Sequence, residues 1–170
     1  GPGHTVIEPA VETQEWGAIS RFTYNRGHWT KQDGRIHGHT PGDADIWTGH
    51  YYARNVTVTA DVRRLAGRSQ LVTARVQGTG RFYAAGFEGD EVVILKEDFG
   101  TTVLARAPFK PEIGRSYRFA FTAHGDRLSL ALDGQDLLSA TDGSYGYGMA
   151  GIRMASAGRI SVGRIEIVET

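Results

Sequence analysis

His37 and His39 stand two residues apart, Asp43 and Asp45 repeat that spacing a few residues on, and His50 follows. On an extended strand, residues i and i+2 share a face. An imidazole pair with one of these carboxylates is therefore a donor set for a divalent transition metal. The loop Thr40-Pro41-Gly42-Asp43-Ala44-Asp45 has a different chemistry available, since its carboxylates and carbonyls are the hard oxygens that hold a structural Ca2+. The plainer reading of the same residues is a polar loop with two surface histidines.

A second constellation lies on strands. In Leu71-Val72-Thr73-Ala74-Arg75-Val76-Gln77, strict alternation sends Val72, Ala74 and Val76 to the core and Thr73, Arg75 and Gln77 outward. The next apolar stretch puts Tyr83 and Phe87 on one face and Phe82 on the other. Lys96 follows in a third, and Arg153 faces out beside an inward Ile152. If these strands are neighbours, Arg75, Tyr83, Lys96 and Arg153 line one polar sheet face, with Glu88 or Asp90 supplying a carboxylate. Such a set suits a sugar: an aromatic face packs on the apolar side of the ring, and Arg and carboxylate bond vicinal hydroxyls. The competing reading is a polar face kept for solubility and edge protection.

Three further tyrosines, Tyr51, Tyr145 and Tyr147, sit in glycine-rich segments and are candidates for a stacking platform. The loop Asp142-Gly143-Ser144-Tyr145-Gly146-Tyr147 has the composition of a segment that folds over a ligand. Trp29 and Trp47 read instead as core anchors. Recognised catalytic motifs are missing: there is no Gly-x-Ser-x-Gly, no His-Glu-x-x-His and no phosphate loop. Gly78-Thr79-Gly80 opens like a dinucleotide fingerprint, but Tyr83 occupies the third glycine's place. Glu88-Gly89-Asp90-Glu91 lies at a turn, not in the paired spacing that glycoside hydrolysis uses.

The elements that must position these groups are strands. Leu128, Leu130 and Leu132 alternate, as do Tyr117, Phe119 and Phe121, which gives strands with one buried and one wetted face. Apolar stretches at Trp16–Tyr24, Ile46–Thr48, Val56–Val62, Leu71–Gln77, Phe82–Phe87, Val92–Lys96 and Thr101–Ala105 continue the pattern, and so do residues 116–124, 127–133 and 135–140. Ala150–Met154 and Ile160–Val168 complete it. Asp33-Gly34, Gly78-Thr79-Gly80, Gly89-Asp90 and Gly125-Asp126 are turn signals between them. A dozen or so short strands with frequent turns predict an all-β jelly-roll sandwich of two antiparallel sheets.

Composition agrees. The 170 residues include 23 glycines and are 40% hydrophobic, enough for one core. Gly1-Pro2-Gly3-His4 reads as the remnant of a cleaved tag, and residues 5–170 as a single β-sandwich domain. With 19 basic and 19 acidic residues the net charge is zero, which argues against a duplex nucleic-acid binder. The absence of cysteine excludes disulfides and thiolate metal sites and leaves the compartment open. No apolar run approaches the roughly 20 residues of a membrane span.

Gly27-His28-Trp29-Thr30-x-x-Asp33-Gly34-Arg35-Ile36-x-Gly38, then Asp45-Ile46-Trp47-Thr48 and Tyr52, resembles the opening of a concanavalin A-like/laminin-G-like jelly roll. Tyr117-Arg118-Phe119 with Asp126 to Gln135 resembles its paired back strands, and Gly148 to Ile152 and Gly163 to Ile167 its closing strands. The resemblance runs from about Trp16 to Glu169. Within that superfamily the chain is similar to family 66 carbohydrate-binding modules, to the C-terminal module of bacterial ADP-ribosylglycohydrolase-like proteins through Trp47-Thr48-Gly49-His50-Tyr51-Tyr52, and to the 3-keto-disaccharide hydrolase domain. The first two imply a non-catalytic module that binds a carbohydrate or sugar-containing ligand beside the catalytic domain of a larger bacterial glycoside-processing enzyme. The third implies a sugar-acting hydrolase or lyase with His50, His37 or Glu88 as acid or base. A structural domain packed on its catalytic partner is the remaining alternative.

Overall fold

The computed structural model describes residues 3–10 and 22–170, and these form fifteen strands and no helix. In chain order they are β1 (His4–Ile7), β2 (Thr23–Asn25), β3 (His28–Gln32), β4 (Arg35–Thr40), β5 (Ala44–Thr48), β6 (Val56–Gly67), β7 (Ser69–Gly78) and β8 (Arg81–Glu88). They continue as β9 (Glu91–Asp98), β10 (Thr101–Pro108), β11 (Ser116–His124), β12 (Arg127–Leu132), β13 (Gln135–Thr141), β14 (Met149–Met154) and β15 (Gly158–Glu169). Of the expected strand Trp16–Tyr24, residues 16–21 lie outside the described residues.

Two antiparallel sheets result. One runs β13-β12-β11-β6-β15-β4-β3, with β1 also paired to β15; the other runs β10-β9-β8-β7-β14-β5-β2. The chain passes between them repeatedly, so β14 finds its place between β7 and β5 although all three are distant in sequence.

Regular alternation builds the core. On β6, Val56, Val58, Ala60 and Val62 are buried while Thr57, Thr59, Asp61 and Arg63 are partly exposed. On β11 and β12, Phe119, Phe121, Leu128 and Leu130 face Phe87, Ile94 and Ile152 of the other sheet within one cluster. Phe87 meets Phe119 edge-on, with ring centroids 4.8 Å apart. Burying such a side chain stabilises by about 1.5–3 kcal/mol.

The early tryptophan element has a steric cause. Asp33 and Gly34 both take positive φ, 52° and 70°, as a tight type I′ hairpin turn requires. The turn sets Trp29 opposite Gly38. A Cβ on Gly38 would sit 2.4 Å from the indole ring, so only glycine admits Trp29 to the core. The indole Nε1 then donates to the Arg26 carbonyl at 3.0 Å.

The seven-stranded sheet departs from simple amphipathicity. Eight consecutive residues of β7 are buried, because this sheet has packed side chains on both faces. Trp47, Leu71, Val76, Phe82, Ala84, Val93 and Leu95, with Met149, form a second cluster on the face turned away from the main core. Trp47 is thus an anchor, as expected, but of this outer cluster.

Candidate functional site

The polar strand residues divide between the two faces of the seven-stranded sheet. Tyr83 and Lys96 are paired in register and belong to the inner side. Arg75 joins them there, contrary to the expectation from alternation. Between Ala74 and Gly78 the β7 register slips against β8, and Arg75 has φ 51°. The irregularity adds one residue against β14 and two against β8, and it turns Arg75 inward and Val76 outward.

Arg75 is 1% exposed and most of its hydrogen bonds go to backbone. Nε reaches the Arg54 carbonyl at 2.9 Å, and Nη1 reaches those of Gly125 and Tyr145 at 2.6 and 2.8 Å. Nη2 lies 3.4 Å from Asn55 Oδ1. One guanidinium therefore ties together three loops from both sheets. A recess of about 410 Å3 lies above it, but its charge is already bonded to carbonyls.

Next to Arg75, Tyr83 donates to Asp142 Oδ1 at 2.5 Å and accepts from the Tyr145 amide at 3.2 Å. Lys96 Nζ bonds Asp142 Oδ2 at 3.3 Å and Ser144 Oγ at 3.2 Å. Tyr145 is buried and donates to the Glu97 carbonyl at 2.6 Å. Burial alone would raise the Asp142 pKa, but hydrogen bonds from Tyr83, Ser144 and Lys96 outweigh it and hold the carboxyl at about 2. Burial, reinforced by the bond to Asp142, pushes Tyr83 up to about 12. Arg75, Tyr83, Lys96 and Tyr145 are thus one satisfied network that fastens the β13–β14 loop. They do not share a ligand-facing surface with Arg153.

Arg153 is on the outer face. Its register partner on β5 is Asp45, and Nη1 donates to Asp45 Oδ2 at 2.7 Å and lies 3.7 Å from Asp43 Oδ2. Its guanidinium lies over the Phe82 ring, 5.1 Å from the centroid. Burial pushes the Asp45 carboxyl up to about 6, even against the opposing pull of Arg153.

Beside Arg153 opens a cavity of about 260 Å3, whose wall includes Phe82, Ala84 and Leu95 together with Glu88, Glu97, Thr101, Arg68 and Ser156. Glu88 Oε1 accepts from Arg68 Nε at 2.7 Å. Glu88 Oε2 and Ser156 Oγ are buried and have no hydrogen-bond partner among the described residues. An orphaned buried polar atom costs about 1–3 kcal/mol, so two at one cavity mark a place suited to a polar ligand.

The expected metal set does not assemble. His37 and His39 are on β4 of the eight-stranded sheet, while Asp43 and Asp45 lie at β5 of the other. The carboxylates are taken by arginine, with Asp43 Oδ1 held by Arg26 Nη1 at 2.6 Å and Asp45 by Arg153. Among the described residues no group of three or more His, Asp or Glu side chains is arranged to hold a metal ion. His37 and His39 line instead a site of about 200 Å3 with His28 and Arg159. Burial, and then nearby Arg35, lower the His37 pKa.

Of the loop tyrosines, Tyr51 and Tyr147 come together on the surface. Their ring centroids are 5.7 Å apart, and Tyr52 completes a triangle at 5.0 and 5.7 Å. Sequence reasoning missed Ser156, Phe82 and Asp142. Phe82 was legible, since alternation already places it opposite Tyr83.

Two antiparallel sheets in this order have the concanavalin A-like jelly-roll fold. Solved structures carry the likeness further. The carbohydrate-binding module CBM66 from Bacillus subtilis matches with a TM-score of 0.77 at 21% identity, covering 88% of this chain and 96% of that one. A Bacillus subtilis protein of unknown function with a galectin-like fold matches at 0.72 and 11% identity, over 98% of both chains. The exoplasmic/lumenal domain of VIP36, in its Ca2+/Man3GlcNAc-bound form, matches at 0.69 and 10% identity, over 89% of this chain and 85% of that one. No protein-family model and no curated protein sequence matches the chain.

Proposed function

We propose that this chain is a non-catalytic carbohydrate-binding module, an accessory unit of a larger glycoside-processing enzyme, and that the sugar binds in the outer-face cavity beside Arg153. The observation that carries this reading is the pair of orphaned atoms, Glu88 Oε2 and Ser156 Oγ, next to a guanidinium laid over Phe82. A sugar ring supplies what they lack. Once a side-chain rotation turns Glu88 Oε2 and Ser156 Oγ toward the cavity, its hydroxyls donate to Glu88, exchange hydrogen bonds with Ser156 and accept from Arg153, while Phe82, Ala84 and Leu95 offer an apolar wall to its C–H face. The size fits a small ligand, since about 260 Å3 lies just under the roughly 300–1,000 Å3 typical of drug-sized sites. The lectin and carbohydrate-binding-module neighbours support the same reading.

Calorimetric titration of neutral, acidic and nucleotide-linked sugars tests it. We expect saturable binding to at least one class, weakened tenfold or more by Glu88→Gln and unaffected by the remote Tyr24→Ala. A folded protein that binds none of them, or a Glu88→Gln variant with wild-type affinity, overturns the assignment.

A further inference from the structure

The tyrosine triangle is an unusual surface. Tyr52 is 68% exposed and Tyr51 37%, yet each ring packs against the other two, with Tyr52 and Tyr147 inclined by only 34°. His50 packs edge-on against Tyr52 at 6.4 Å. The loops beneath are held by backbone: the Gly148 amide donates to the Ala53 carbonyl at 3.0 Å, and the Ala53 amide to that of His50 at 3.1 Å. Gln77 Nε2 adds a bond to the Tyr147 carbonyl at 3.1 Å. Large exposed rings held rigid cost little entropy on binding and present flat apolar faces.

The triangle also adjoins the outer face of the seven-stranded sheet. Tyr147 precedes Met149 by two residues, and Met149 packs on the cluster that contains Phe82, a wall of the cavity. Two strand spacings and two residues of rise put Tyr147 roughly 12 Å from Phe82, backbone to backbone.

We infer that the ligand is an oligosaccharide rather than a lone ring, with one end in the Arg153 cavity and its chain running across Met149 onto Tyr51, Tyr52 and Tyr147. This rests on the sugar-binding reading above. Stacking on the tyrosines adds affinity only for chains long enough to reach them, and it tolerates variety in the outlying units because it uses ring faces rather than directed hydrogen bonds.

The experiment is calorimetry with glucose, mannose, galactose and fructose, each with its homo-oligosaccharide series from disaccharide to hexasaccharide. We expect affinity to rise with length in the wild type and then level off. Tyr52→Ala, an exposed change that leaves the fold intact, should lower the affinity of the long ligands about tenfold, as one lost aromatic contact of about 1.4 kcal/mol implies, and leave the monosaccharide unchanged. No gain with length, or an equal loss for short and long ligands, overturns the extension while leaving the cavity assignment in place. Failure of every sugar to bind overturns both.

Discussion

The two faces of the seven-stranded sheet carry polar clusters built from the same kinds of residue, and they end in opposite states. On the inner side, Arg75, Tyr83, Lys96, Asp142 and Tyr145 exchange hydrogen bonds among themselves and with loop carbonyls. On the outer side, Arg153 shares Asp45 and Asp43, while Glu88 Oε2 and Ser156 Oγ are buried without a partner among the described residues. A satisfied buried network fixes one conformation and offers nothing to a ligand. An unsatisfied one is tolerated where binding completes it. The difference separates fastening from recognition more clearly than residue type does, since each side has an arginine, a carboxylate and an aromatic ring.

The largest test of this contrast is Arg75→Ala. It removes a charged donor from three loop carbonyls, that of Tyr145 buried, and releases three loops, so unfolding free energy should fall by about 4 kcal/mol. Urea denaturation reads this directly. Sugar affinity of the remaining folded protein should stay near wild type. A well-folded Arg75→Ala variant that has lost sugar binding would merge the two clusters into one site and break the comparison.

Acid titration of stability sharpens the contrast, because the carboxyls are shifted in opposite senses. Asp142 is held at about 2 against an ordinary 3.8. It therefore stabilises the fold above pH 3.8, and that contribution, about 2 kcal/mol, is lost as pH falls from there through 2. Asp45 is raised from 3.8 to about 6. Burial of its charged form outweighs the pull of Arg153, so this contribution to stability is fullest below pH 3.8 and is lost as pH rises from there through 6. Melting curves from pH 2 to 7 should rise and then fall. Asp142→Asn should flatten the first limb alone and Asp45→Asn the second alone. If either variant flattens both limbs, the clusters are coupled through the sheet.

Alternation was a sound guide wherever a strand is regular. The valines of β6, the phenylalanines of β11 and the leucines of β12 all face inward as their spacing requires. It failed at Arg75 because the strand bulges there and turns Arg75 inward and Val76 outward before the pairing with β8 resumes at Gly78. Nothing local announces it, since the residue at φ 51° is an arginine and not a glycine. The Gly148 that accommodates the bulge is far along the chain, where a Cβ would sit 2.3 Å from the Arg75 carbonyl carbon. The Arg153–Asp45 pair was illegible for a related reason. Its members are 108 residues apart, and only the interleaving of β14 between β5 and β7 makes them neighbours. Glu88 was legible as a carboxylate near an outward face, whereas the partner-less Ser156 gave no sequence signal. The histidines failed as metal ligands because the chain changes sheets between His39 and Asp45, a crossing that spacing does not reveal.

A smaller effect is expected from Tyr83→Phe. The ring stays, but Asp142 loses its 2.5 Å donor and the buried Tyr145 amide its acceptor. Stability should drop by about 2 kcal/mol. Affinity for sugar should not change, because the hydroxyl lies on the side of the sheet opposite the cavity.

Ser156→Ala is the smallest change and the most discriminating complement to it. The Ser156 hydroxyl makes no hydrogen bond among the described residues, so removing it breaks none of their contacts, and stability should stay within about 0.5 kcal/mol of wild type or rise slightly. If the hydroxyl is held for a ligand, affinity should fall roughly threefold to tenfold, the value of one neutral hydrogen bond. The two hydroxyl deletions then give mirror-image results: Tyr83→Phe costs stability without affinity, and Ser156→Ala costs affinity without stability. Melting and calorimetry on the same two preparations decide the matter. A Ser156→Ala protein that gains stability and keeps full affinity would make the orphaned hydroxyl a packing residue, leaving Glu88 alone to distinguish the outer cluster from the inner one.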